Sequence, residues 1–171
     1  MKRHIFLSLL GIVLLNSCAI LRPPTVVKNE SLDGYKYVYV MSTSDKSSVY
    51  GVTTGGVYTG YYGGVYGNVV GSTGSRSVNP AELISGHFIK RGFIRLPEID
   101  QKYLDKTIVV NYSETGRRQV GFGYTIEVTI QIIDAVEHKV LCVGTAEGQG
   151  STETDDVRVA IDRCMEAIFA K

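Results

Sequence analysis

Four acidic residues crowd one short stretch: Glu147, Glu153, Asp155 and Asp156. Two carboxyls held close together could divide acid–base work between them, as in a hydrolase. The stretch also opens a helical pattern, and acids in a first helical turn favour the helix dipole. The second account is the commoner one and is preferred. Arg117-Arg118 could grip a carboxylate or a phosphate, but residues 114–118 read as a turn, where arginines more often serve solvation. Gly148-Gln149-Gly150 precedes a helix, the setting of many anion sites. It has no Walker lysine, and the dinucleotide fingerprint is incomplete. His87 and His138 each stand alone in the chain, and a lone histidine is usually a satisfied or solvated side chain. Cys142 and Cys164 could form a disulfide in an oxidising compartment. Two buried free thiols are the commoner outcome, and two sulfurs are too few ligands for a metal. No catalytic set, metal set or cofactor site emerges, so the expectation is a protein that is not an enzyme.

Tyrosine offers a different chemistry. Nine of the 24 residues from 51 to 74 are Gly, and four are Tyr: Tyr58, Tyr61, Tyr62 and Tyr66. No charge occurs between Lys46 and Arg76. Glycine at that density makes ordering costly, while Tyr and Val favour extended backbone. Residues 51–75 therefore read as a flexible loop or a loose hairpin. The Gly-Tyr-Val recurrence is irregular, so it is no solenoid. Tyrosines on an adaptable backbone make good partner contacts, and an uncharged strand can add to a partner's sheet. They could instead stack on sugar rings, as in a glycan- or peptidoglycan-binding module, or the stretch could be a plain spacer.

Cys18 is the third cysteine outside this set. Before it stand a positive start, Lys2 and Arg3 followed by His4, and an 11-residue apolar run over 5–15. A spanning helix needs about 20 apolar residues, so the run reads as a secretory signal. Leu15-Asn16-Ser17-Cys18 resembles the lipobox of bacterial lipoproteins. That resemblance implies cleavage before Cys18, a diacylglycerol thioether on its sulfur and anchoring by two or three acyl chains. Ala19 at the second mature position resembles sorting to the outer membrane, facing the periplasm. Residues 1–17 are then a signal peptide, and 18–34 a lipidated tether stiffened by Pro23-Pro24.

A chain of 171 residues, 44% hydrophobic and 20% charged, has room for one globular domain. Residues 1–17 hold Lys2 and Arg3 and no acid, so their loss turns a net charge of +1 into −1. Nucleic acid would call for a basic surface, which this balance does not supply. The domain is expected over 35–171. Residues 35–41 are rich in β-formers. Asn79-Pro80 starts a helix that Gly92 ends, and a short strand over 93–96 is stopped by Pro97. Residues 107–112 form a strand. Over 124–134 Ile126, Val128, Ile130 and Ile132 alternate with Glu127, Thr129 and Gln131, a strand with one wet face. Residues 139–146 run back as its hairpin partner. A last helix spans about 153–169, capped by Thr152 with Asp155, and carries an apolar stripe from Val157 to Phe169. The sum is an α+β fold: a mainly antiparallel sheet with two helices on one face.

These segments, with Thr125–Gln131 as Thr-Ile-Glu-Val-Thr-Ile-Gln and the run that starts at Thr145 before the last helix, resemble uncharacterised small lipoproteins of Bacteroides-like bacteria. The element order is similar to β-α-β-β-β-α envelope domains such as the activator lipoproteins of penicillin-binding proteins and the periplasmic part of the curli secretion channel. That likeness is one of fold, and fold alone does not confer function. The tether, the Tyr-rich stretch and the empty catalytic inventory together point to a membrane-anchored, non-catalytic envelope module that binds another envelope protein.

Overall fold

The computed structural model describes residues 21–59, 65–121 and 123–170, and for 49–76 the backbone alone. The signal and Cys18 lie outside the described residues. The strands are β1 (Thr25–Lys28), β2 (Tyr37–Val40), β3 (Lys46–Thr59), β4 (Val65–Val78), β5 (Ile94–Arg95), β6 (Thr107–Val120), β7 (Gly123–Asp134) and β8 (Val140–Gly148). The helices are α1 (Pro80–Ile89) and α2 (Glu153–Phe169), with a 3-10 turn at Gln101–Lys106. The fold is α+β, as expected.

Six strands make one mixed sheet in the order β1-β8-β7-β6-β2-β5. The pairings β1·β8, β8·β7 and β7·β6 are antiparallel, while β2 lies parallel to both β6 and β5. The parallel pair β2·β5 is joined through α1, the crossover that parallel neighbours require. β3 and β4 form a separate two-stranded ribbon.

The period-two reading of β7 holds in detail. Ile126, Val128, Ile130 and Ile132 have no exposed surface and meet Val157, Ala160, Ile161, Cys164, Met165 and Ile168 of α2 in one core. Phe88 closes that core between the helices, edge-on to Phe93 at 5.2 Å and to Phe169 at 5.3 Å. The other face carries hydroxyls: Thr115, Thr129 and Thr145 hydrogen-bond across β6, β7 and β8 at 3.2 and 3.0 Å.

Helix ends follow their capping residues. Asn79 Oδ1 accepts the Glu82 N–H at 3.1 Å, and Pro80 fills the first turn. Gly92, φ 89°, takes the left-handed position after α1. Thr152 Oγ1 accepts the Asp155 N–H at 3.2 Å and starts α2. Two strand glycines let α2 approach the sheet. A Cβ on Gly148 would stand 2.0 Å from the Asp156 carbonyl oxygen, and one on Gly144 would stand 2.8 Å from Cys164 Sγ.

Two stretches differ from expectation. Within the proposed tether, Thr25–Lys28 pairs with β8 and closes one sheet edge. Residues 114–118 continue β6 instead of turning; a register shift between Glu114 and Gly116 absorbs one extra residue, and the hairpin turn falls at Gly121, φ 56°. Of the stretch 51–75, read as a loop or loose hairpin, the described parts 51–59 and 65–75 take the hairpin alternative, with a continuous register from Lys46 opposite Val78 to Thr59 opposite Val65.

Candidate functional site

The acidic cluster is brought together, but each member is engaged. Glu147 is 3% exposed on β8. Arg118 grips it through both carboxylate oxygens, Nε to Oε1 at 2.8 Å and Nη2 to Oε2 at 2.6 Å, and the Arg22 N–H donates to Oε2 at 3.0 Å. The Arg118 guanidinium holds the Glu147 carboxyl down to about 2. Such a group is an anion at any ordinary pH and does not exchange protons near neutrality. Arg163 reaches round from α2 to the Glu147 carbonyl and donates to the Arg22 carbonyl at 2.8 Å. Glu153 pairs with Arg117 at 2.5 Å. Asp155 accepts from the hydroxyls of Ser151 and Thr152 at 2.6 and 3.0 Å.

The helix entrance is likewise filled from within. The Gly150 N–H donates to Asp156 Oδ1, and the Thr154 N–H donates to Ser48 Oγ at 3.0 Å. An anion site at Gly148-Gln149-Gly150 would need those donors free. Burial pushes the Asp156 carboxyl up. The carboxyl borders a cleft of about 150 Å³ with Tyr124, Gln149 and Thr152, too small for an organic substrate.

The arginine pair divides between the two faces of the sheet. Arg117 stands opposite Ile126 and Arg118 opposite Thr125, so successive side chains go to opposite sides. Arg117 meets α2, and Arg118 meets Glu147. They form no joint anion clamp. His87 joins the helices, with Nε2 2.7 Å from Asp162 Oδ1. His138 occupies a positive-φ position (56°) in the β7–β8 turn, where Asp134 Oδ1 accepts two backbone N–H groups and Tyr35 donates to Oδ2 at 2.7 Å. Cys142 and Cys164 are free and buried. Burial pushes the Cys164 thiol up to about 12 and the Cys142 thiol up as well, which suits core packing and not nucleophilic work. Among the described residues no group of His, Cys, Asp and Glu is arranged to hold a metal.

The ribbon is what remains. Its base is fixed by side chains: Lys46 Nζ lies 2.9 Å from Glu114 Oε1, Thr154 donates to Ser48, and Val78 is buried in the core. Beyond that base, β3 and β4 pair only with each other among the described residues. Register sets Tyr58 opposite Tyr66. Tyr61 and Tyr62 lie outside the described residues. The anchoring set of Glu147, Arg118, Arg22 and Arg163 was missed from sequence as a unit, because its members are separated by up to 141 positions. The one legible signal was an acid just past the end of the expected strand 139–146, next to a glycine.

No protein-family model and no curated protein sequence matches the chain. Among solved structures it is similar to a PDZ domain protein from Parabacteroides distasonis, with 11% identity and a TM-score of 0.46 over 89% of this chain. The match takes in 36% of that protein, so the chain spans about a third of its length. Likeness at that level assigns neither a ligand nor an activity.

Proposed function

We propose that the chain is a membrane-anchored envelope lipoprotein of the small Bacteroides type, held by lipid on Cys18 at the outer membrane and facing the periplasm. Its α+β domain acts there as a non-catalytic module that binds another envelope protein. The observation that carries the binding role is the ribbon. Two 14-residue strands, Lys46–Thr59 and Val65–Val78, leave the body of the domain with both outer edges open among the described residues. They carry no charge between Lys46 and Arg76. Proteins guard long uncharged strand edges against unwanted pairing, and an isolated two-strand ribbon is marginal in water. An edge of that kind is suited to a partner that adds a strand to it. The six-stranded sheet is guarded by contrast: β1 has four residues and ends in Lys28, and β5 has two and is followed by Pro97.

The test is crosslinking in the native cell with three chains: the intact protein, Cys18→Ala, and a version in which residues 49–75 are replaced by an Asn-Gly turn. The intact chain is expected in the membrane fraction with one specific envelope protein attached. Cys18→Ala is expected to leave that fraction. The ribbon-less chain is expected to stay there without the crosslink. An unchanged crosslink in the ribbon-less chain would reduce the ribbon to a spacer, and membrane retention of Cys18→Ala would remove the lipid anchor.

A further inference from the structure

A groove of about 520 Å³ opens at the C-terminal end of α2, between the segment after β1 and the turn after α1. Its apolar lining comes from Leu32, Phe93, Ile168 and Phe169, with Cys142 beside them. Two cations stand on its rim. Lys28 Nζ donates to the Ala170 carbonyl at 2.7 Å. Arg91 lies with Cζ 4.1 Å above the centre of the Phe169 ring and gives Nη1 to the His87 carbonyl at 2.9 Å. Both cations suit the negative end of a helix whose own last turn holds no basic residue. That role uses few of their donors. Arg has five N–H groups and Lys three, and among the described residues neither cation meets a carboxylate.

The acids on the same rim are occupied. Glu30 pairs with Lys139, and Asp33 closes a local turn with Ser31, accepting its hydroxyl at 2.7 Å. A concave, partly apolar site in the usual size range for small ligands, with cationic donors on its rim, has the anatomy of a binding site. The donors fix the charge of the ligand. We propose that this groove binds a small apolar carboxylic acid, its hydrocarbon body against Leu32, Phe93 and Ile168 and its carboxylate between Arg91 and Lys28. Arg suits the role because its planar fork matches a carboxylate in two bonds while its face stays stacked on Phe169. The inference is independent of the partner-binding role of the ribbon, which is made of other strands, β3 and β4.

The probe is 3-phenylpropanoate, with 3-phenylpropanol as its uncharged counterpart, titrated into the full chain at neutral pH. Binding is followed by calorimetry and by the Ile168 methyl resonances. The acid is expected to bind one-to-one and saturably and to shift Ile168, with the alcohol about tenfold weaker. Arg91→Gln is expected to weaken the acid about tenfold or more and to leave the alcohol unchanged. Lys28→Gln is the second variant, because it lies on an exposed strand end and keeps the test valid if Arg91→Gln disturbs the packing on Phe169. Three results would each overturn the proposal: no saturable binding, equal affinity for acid and alcohol, or wild-type affinity in both variants. In any of them Lys28 and Arg91 serve the helix end alone.

Discussion

Glu147 has almost no contact with solvent, yet its carboxyl stays ionised because Arg118 binds both oxygens and Arg22 adds a backbone N–H. A buried pair of this kind contributes little over an apolar pair of the same shape, but removing one partner strands a charge. Arg118→Met keeps most of the side-chain volume and removes the charge. It is expected to lower Tm at neutral pH by about 5 °C or more, and Glu147→Gln by less, since its amide can keep one bond to Arg118. The pH dependence has a definite sign. The folded carboxyl sits at about 2, below its ordinary value of 4.5, so its stabilisation is full above about 4.5 and is lost as pH falls from there towards 2. Arg118→Met lacks that dependence, so the gap in Tm between wild type and variant should narrow from pH 7 to pH 3. Thermal melts at the two pH values measure it, and a gap that widens in acid would show that the pair is not what holds Glu147. The same residues explain why the acidic cluster looked catalytic in sequence. Acids gathered at a helix start are visible, but the arginines that neutralise them come from β6 and the segment before β1.

At the scale of elements, the α2–β8 contact depends on missing side chains. A Cβ on Gly148 would lie 2.0 Å from the Asp156 carbonyl oxygen and 2.4 Å from the Ala160 nitrogen. Both atoms are backbone, so no rotamer change can make room, and α2 must move off the sheet. Gly148→Ala is expected to cost about 3 kcal/mol or more. Gly86 in α1 is the matched control. A Cβ there meets nothing within 4 Å, and Gly86→Ala should stabilise by about 0.5–1 kcal/mol through the lower entropy of the unfolded chain. Urea unfolding of both variants decides the matter: the same sign in both would mean that close approach at Gly148 is not what the glycine serves. β7 and α2 were legible from sequence because each carries its own period, two in Ile126 to Ile132 and 3.6 from Val157 to Ile168. Gly148 was legible only as part of a glycine-rich turn before a helix, since nothing local distinguishes such a glycine from one that admits a helix to a strand. The bulge at Gly116 was hidden for a similar reason: Gly-Arg-Arg reads as a turn until the partner strand is known.

At the scale of the whole molecule, the parallel placement of β2 and the edge position of β1 were not legible. Strand pairing is non-local, and Thr25–Lys28 is too short to show a period. The ribbon poses the sharper question, because a pair of 14-residue strands could be part of the core or an appendage. Its only member in the core cluster of described residues is Val78, at the base. Lys46 and Ser48 also act at the base, through Glu114 and Thr154. Ser48 stands opposite Arg76 in register, so an Asn-Gly turn between them closes a two-residue hairpin of the favoured type and leaves every one of those contacts in place. Replacing 49–75 in this way should therefore leave Tm within about 3 °C of the parent. That outcome would give the stretch no large structural duty, and would leave contact with a partner as the reason for 27 uncharged residues. A fall of about 10 °C or more would mean that the ribbon packs on the domain, and its tyrosines would then be covered by this chain and closed to any other.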